Sequence, residues 1–364
     1  MPEPVDGGPS QRYAQGVARG DWQDDPAQHP ALRELDRLHA QLLDTPAATG
    51  LFVRWRKPDA VPGLYLWGGV GRGKTFLIDL FYAGLPVADK QRTHFHRFMR
   101  DVHAGLRAHA GERDPLAAVA RDWRGRTRLL VLDEFFVSDI GDAMLLGRLL
   151  QHLFEAGMVL VTSSNTPPRE LYKDGLQRAR FEPAIALIER HCRVLHLDSP
   201  TDYRLRALTR SPVYRAPLDA QSDDWLAARW TELVPGTPMQ AGAIEVEGRD
   251  IPVRAQAEGS VWFDFDALCE GPRSSVDYIE IAREHHTLLL GGIPQFDAQR
   301  DDAARRFIAL IDELYDRHCN LVCTAAATPP ELYSGERLSG VFARTTSRLI
   351  EMQSAEYLAL EHRG

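Results

Sequence analysis

The run Gly68-Gly69-Val70-Gly71-Arg72-Gly73-Lys74-Thr75 fits the pattern GxxxxGK[ST], and few short patterns restrict a fold as tightly. Its glycines let consecutive backbone N–H groups converge on phosphate oxygens with no Cβ in the way. The pattern works where the loop joins a strand to a helix, whose positive dipole end then faces the anion. Here an apolar run at residues 63–67 precedes it, and Phe76, Leu77, Leu80 and Phe81 follow at helical spacing. Residues 68–76 are therefore expected to cradle ATP. Lys74 would reach the β- and γ-phosphates and the Thr75 hydroxyl would ligate Mg2+.

Leu129-Leu130-Val131-Leu132-Asp133-Glu134 supplies the second half of such a site. Four apolar residues describe a strand buried on both faces, and the two acids fall at its carboxyl end, where parallel sheets bind ligands. Asp133 is expected to orient hydrated Mg2+, and Glu134 to align the attacking water as a base. Residues 158–165 form another apolar strand ending in Asn165, whose amide is placed to contact the γ-phosphate and the water. Further on, Arg178 and Arg180 precede a helix and one more strand. An arginine there can enter a neighbouring subunit's site and offset charge on the transferring phosphoryl group. The sequence does not choose between the two. A finger acting in trans requires a neighbour, so a nucleotide-promoted homo-oligomer is expected.

The wider pattern agrees with an α/β fold in which a parallel sheet is flanked by helices. Strands are expected at 63–67, 92–98, 128–133, 158–163 and 193–197, and helices at 31–43, 75–83, 97–110, 140–156 and 182–191. Of the 364 residues, 1–30 are rich in Pro, Gly, Asp and Gln and are expected to form a mobile arm. Residues 31–208 form the P-loop domain and 209–242 a loose, proline-bearing connection with one helix near 225–233. Residues 243–364 form a C-terminal α/β region that opens with a hairpin at 243–246 and 252–256.

That region echoes the first. Thr162-Ser163-Ser164-Asn165-Thr166-Pro167-Pro168 is matched by Thr324-Ala325-Ala326-Ala327-Thr328-Pro329-Pro330, and residues 130–135 by 288–293. The match reads either as chance recurrence of two Thr-Pro-Pro turns or as a duplication. As a degenerate repeat it would have no nucleotide site of its own, since Gly291 and Gly292 stand for the two acids and Ala327 for Asn165.

Composition trims the alternatives. With 43 Lys and Arg against 51 Asp and Glu, the net charge is -8, which disfavours obligate binding to nucleic acid. Arg121, Arg124, Arg126 and Arg128 are a local exception that could contact phosphate. No apolar run approaches the ~20 residues of a membrane span. The first residues lack the pattern of a signal peptide or an organelle-targeting segment, so a cytoplasmic place is expected. Cys192, Cys269, Cys319 and Cys323 have neither disulfide nor zinc spacing and are expected to be reduced thiols. His94 and His96 are expected in a satisfied core or on a solvated face rather than at a metal.

The tracts GLYLWGGVGRGKT, HFHRFMRDVH, LLVLDEFFVSDI, TSSNTPPRELY, GLQRARFEPAI and RTTSRLIEMQSAEYL resemble the ZapE-type ATPases, a bacterial cell-division group of AAA+-like proteins with mitochondrial relatives. The resemblance runs from about residue 11 to residue 357, with the tracts in the family's order. It implies that Gly68, Gly71, Gly73, Lys74 and Thr75 take the Walker A roles, Asp133 and Glu134 the Walker B roles, and Asn165 the sensor role. It also implies ATP hydrolysis, association with FtsZ and a peripheral place at the division site. Two other functions stay open at this stage: a helicase-loader-like ATPase acting at nucleic acid, and an interaction scaffold switched by nucleotide.

Overall fold

In the computed structural model, the described residues are 7–44, 61–69, 71–199, 203–234, 239–246, 248–257 and 259–363. Val70 and Pro46, the residue expected to end the first long helix, lie outside them. The chain divides between residues 202 and 203 into two compact units.

The first unit runs α1 (Pro9–Arg19), α2 (His29–Asp44), β1 (Gly63–Trp67), α3 (Lys74–Gly84), β2 (Lys90–His94), α4 (Phe95–Ala108), α5 (Pro115–Arg126), β3 (Leu129–Asp133), α6 (Ile140–Glu155), β4 (Val159–Ser164), α7 (Arg178–His191) and β5 (Cys192–His196). All five strands are parallel, in the order β2-β3-β4-β1-β5. This is the AAA+-like P-loop arrangement: the strand feeding the loop is central, and another strand separates it from the strand bearing the acids. Successive side chains of β3 feed opposite cores. Leu130 and Leu132 pack with Phe98, Trp123 and Leu146, whereas Leu129 and Val131 pack with Leu64, Ile78 and Phe81. Burial on both faces is why the strand reads as an unbroken apolar run.

Three expectations shift. The segment 92–98 is not all strand: β2 ends at His94 and α4 starts at Phe95. Phe95, Phe98, Met99 and Val102 are the buried set, a period of helix rather than strand. Helix α7 starts at Arg178, four residues before the expected 182, and keeps Pro183 inside; the proline removes one donor from an early turn without ending it. The described part of residues 1–30 is not a mobile arm. Helix α1 packs on α2 and α3. Tyr13 is buried and its hydroxyl accepts from the Asp25 amide at 2.8 Å. The Trp22 indole donates to the Tyr13 carbonyl at 3.0 Å and meets the Phe76 ring edge-on at 4.9 Å. The partners that order this polar segment come from α3, far along the chain, so local composition could not reveal them.

The second unit runs α8 (Tyr203–Arg210), β6 (Tyr214–Arg215), α9 (Ser222–Leu233), β7 (Gly242–Val246), β8 (Arg249–Val253), β9 (Ala255–Ala257), β10 (Ser260–Asp264), α10 (Phe265–Cys269), α11 (Ser275–Glu284), β11 (Thr287–Ile293), α12 (Asp301–Asp316), β12 (Asn320–Ala325), α13 (Ser339–Glu351) and α14 (Ala355–Leu358). The hairpin β7–β8 is antiparallel, with Ile244 opposite Ile251. It turns earlier than expected, so residues 249–250 lie in its second strand. The main sheet has the order β6-β12-β11-β10-β9, with β9 alone antiparallel.

The echo extends through the architecture. Strands β10, β11, β12 and β6 pair as β2, β3, β4 and β1 do. The intervening helices recur in the same sequence, and α6 and α12 are each 16 residues long. The register, however, differs by one residue from the one read in the sequence. The Glu134 amide donates to Ser163 Oγ at 3.2 Å, and the Gly292 amide donates to Thr324 Oγ1 at 3.0 Å. Tyr172 meets Phe181 edge-on, and at the matching place Tyr333 stacks on Phe342. Ser163 thus corresponds to Thr324, and the residue facing the place of Asn165 is Ala326 rather than Ala327. The offset stays constant from Ser163 and Thr324 to Tyr172 and Tyr333, so the two loops are equally long and their Thr-Pro-Pro triplets fall one position out of step.

Gly63 marks how tightly β1 is held. A Cβ there would sit 1.9 Å from the Leu160 carbonyl oxygen of β4. Gly63→Ala is expected to cost at least about 2 kcal/mol by forcing two central strands apart. A chemical-denaturation midpoint equal to that of the parent would contradict it.

Candidate functional site

The carboxyl edge of the first sheet gathers most of the residues singled out above. Gly73, with φ 89°, turns the loop into α3 and acts as its N-cap. A left-handed turn suits glycine, and a cap without a side chain leaves the first amides of α3 open to an anion. The Lys74 side chain is buried. Its Nζ donates to the carbonyls of Gly68 and Gly69 at 2.7 and 2.8 Å, and to Asn165 Oδ1 at 3.0 Å. The loop therefore presents an ammonium, uncapped amides and flexible glycines around one place, which fits a polyphosphate. Thr75 follows in the first turn of α3, and Phe76 packs on Tyr13 and Trp22.

The two acids share the ends of β3 and β4. Asp133 is almost fully buried, and its carboxylate accepts from Arg92 Nε at 2.6 Å and from Ser163 Oγ at 3.4 Å. Burial pushes the Asp133 carboxyl up, and the Arg92 guanidinium opposes that shift. Glu134 has φ 51°, turns out of the strand and keeps its side chain partly exposed. His94 Nδ1 lies 3.9 Å from Glu134 Oε2. Strand β4 binds the end of β3 closely: the Phe135 amide donates to the Ser163 carbonyl at 2.8 Å and Ser164 Oγ to the Phe135 carbonyl at 2.9 Å.

Arg178 and Arg180 stand apart from this group. Arg178 folds back, with Nη2 donating to the Arg169 carbonyl at 2.9 Å and its guanidinium 5.6 Å from the Phe181 ring centre. Arg180, two residues onward and about half a turn round α7, is exposed. Among the described residues neither has a hydrogen bond or ion pair to the loop or to the two acids.

Sequence reasoning passed over four residues. The sequence marks Arg92 only as strand, Ser163 as part of a small polar ending, and His94 as core or surface. Gln28 was assigned to the arm, yet it is buried and its amide donates to the Arg72 carbonyl at 3.4 Å. A Cβ on Gly73 would lie 2.6 Å from that same amide nitrogen. From the other side, Arg72 Nη1 donates to the Ser199 carbonyl at 2.6 Å. The one readable signal is Arg92, a charged residue within an expected strand.

The family model for AFG1-like ATPases matches residues 8–361. The chain belongs to the AFG1-like ATPase family. It is similar to the cell division protein ZapE of Escherichia coli, at 43% identity over 97% of this chain and 98% of that one. It is also similar to lactation elevated protein 1 homolog B of Danio rerio, at 33% identity over 83% of this chain and 69% of that one. Among solved structures, the crystal structure of DnaI covers 50% of this chain and 87% of its own, at 18% identity and a TM-score of 0.36. The AFG1-like family match spans both units.

Ser163 touches both acids, through the amide of one and the carboxylate of the other. Ser163→Ala is expected to lower stability by about 1–2 kcal/mol, since it strips a partner from a buried amide. Equilibrium unfolding in urea that matches the parent would contradict it.

Proposed function

We propose that this AFG1-like ATPase hydrolyses ATP with Mg2+ and couples the turnover to remodelling of a protein partner in bacterial cell division, FtsZ being the partner implied by its resemblance. The observation carrying the reading is the Lys74 ammonium, bonded at once to its own loop and to Asn165 of β4. It joins the residue that would meet the phosphates to the residue that would sense them, beside the strand that carries Asp133 and Glu134. In this reading Thr75 and Asp133 hold Mg2+, which supplies charge neutralisation at the phosphates when bound. Glu134, partly exposed at the strand end, accepts a proton from the attacking water. Asn165 orients that water, and Lys74 exchanges loop carbonyls for phosphate oxygens.

Arg180 is the better placed of the two arginines to act on a neighbouring copy, because Arg178 is spent on the Arg169 carbonyl. A nucleotide-promoted homo-oligomer follows from that role. The similarity to cell division protein ZapE supports the division role and a cytoplasmic, peripheral place at the division site. Among the described residues no helix is long and apolar enough to cross a membrane. The helicase-loader reading loses its basic stripe: Arg128 is buried, Arg124 bonds the Ala156 carbonyl, Arg126 lies over the Trp123 ring and Arg121 pairs with Glu112.

The test is steady-state ATPase turnover with and without FtsZ, with light scattering of the polymers followed in parallel. Lys74→Ala and Glu134→Gln, singly and together, are expected to abolish turnover while circular dichroism stays unchanged. Arg180→Ala is expected to lower kcat by about 10³-fold and Arg178→Ala by far less. Full activity in the double variant would end the catalytic assignment. An unchanged rate in Arg180→Ala would end the trans-arginine role.

A further inference from the structure

Arg92 lies between two carboxylates from different elements. Its Nε and Nη2 donate to Asp133 Oδ2 and Oδ1 at 2.6 and 3.4 Å, and its Nη1 donates to Asp79 of α3. The Asp133 side chain is 2% exposed and that of Arg92 16%, whereas Asp79 is 41% exposed. A carboxylate as buried as Asp133 stays charged only with a partner, and the flat guanidinium fork can serve two acids at once, as an ammonium cannot. Two carboxylates thus share one guanidinium beside the strand end where the proposed reaction needs a divalent cation.

Resting on the ATPase reading above, we propose that Arg92 is a positioning residue: a built-in counter-cation that fixes Asp133 and competes with Mg2+ for its carboxylate, while Asp79 tunes the competition by drawing the guanidinium away. Arg92 holds the Asp133 carboxylate oriented and charge-balanced in the nucleotide-free protein. When the site fills, Arg92 relaxes its hold on Asp133 and keeps Asp79. The pair Arg92–Asp79 thereby ties the middle of α3 to the state of the acid strand. Nothing in the loop motif itself encodes this control, because Asp79 lies beyond the motif and Arg92 sits on the adjacent strand.

The experiment measures binding of a fluorescent ATP analogue to the full chain across a Mg2+ titration, for the parent and for Asp79→Asn, Arg92→Gln and Arg92→Lys. With Asp79 neutral, Arg92 turns wholly to Asp133, and the Mg2+ concentration at half-maximal binding is expected to rise at least about threefold. In Arg92→Gln it is expected to fall by a similar factor, with Arg92→Lys between that and the parent. Nucleotide-free Arg92→Gln is also expected to melt lower in EDTA and to recover in Mg2+ alone, while the parent does not respond. Unchanged half-points in Asp79→Asn and Arg92→Gln would reduce Arg92 to a structural tether and overturn the inference. So would a higher Mg2+ requirement in Arg92→Gln. Should Arg92→Gln fail to fold, the direction of the Asp79→Asn shift decides. A parent that binds no nucleotide at any Mg2+ level would overturn the ATPase reading as well, whereas normal parent binding with unmoved variants overturns this inference alone.

Discussion

The close insertion of β1 between β4 and β5 is the constraint on which the first unit rests. Gly63 permits it, because any side chain there would meet the backbone of β4. A strand enclosed on both edges and both faces cannot end in a polar group until it leaves the sheet. The loop that follows therefore emerges at one place, the carboxyl edge, and so do the last residues of β3 and β4. The chemistry collects there because polar groups have nowhere else to surface.

That edge is stiffened by contacts between strand ends rather than by the loop. Lys74 is held by two carbonyls and Asn165, Asp133 by Arg92 and Ser163, and Arg72 by Ser199. The N-terminal segment adds Gln28 from outside the sheet. Each bond is modest by itself, of the order of 1 kcal/mol. Together they fix the bases from which the glycine loop can move.

Much of this was legible in the sequence, for reasons tied to particular residues. The apolar strands at 63–67, 129–133 and 159–164 are buried on both faces and announce themselves as unbroken runs, and the loop motif fixes what lies between the first of them and α3. Lys74, Asp133, Glu134 and Asn165 stand together at the carboxyl edge of the first sheet because each ends or follows one of those runs or that loop. What stayed hidden depends on contacts between distant segments. Helix α1 has only a short buried stripe, completed by Trp22 and Phe76. Arg92 sits in a polar strand whose meaning appears once Asp79 and Asp133 flank it. Helix α5 was missed although Asp114 caps it and Pro115 opens it, a start signal carried by two residues that also read as a turn. What distinguishes Arg178 from Arg180 is one backbone carbonyl, that of Arg169, which no sequence pattern reveals.

Glu134 and Gly292 occupy the same place in two sheets, and both have left-handed backbone, φ 51° and 76°. For glycine that conformation is free, whereas a glutamate holds it at a cost of about 1–2 kcal/mol. The second unit thus shows the same chain path in its relaxed form, with the bend retained and the side chain gone. The first unit keeps the load. On that comparison, the acid at 134 is a standing penalty against folding that the sheet around it absorbs, and a glycine there would relieve the strain while removing the carboxylate from the edge.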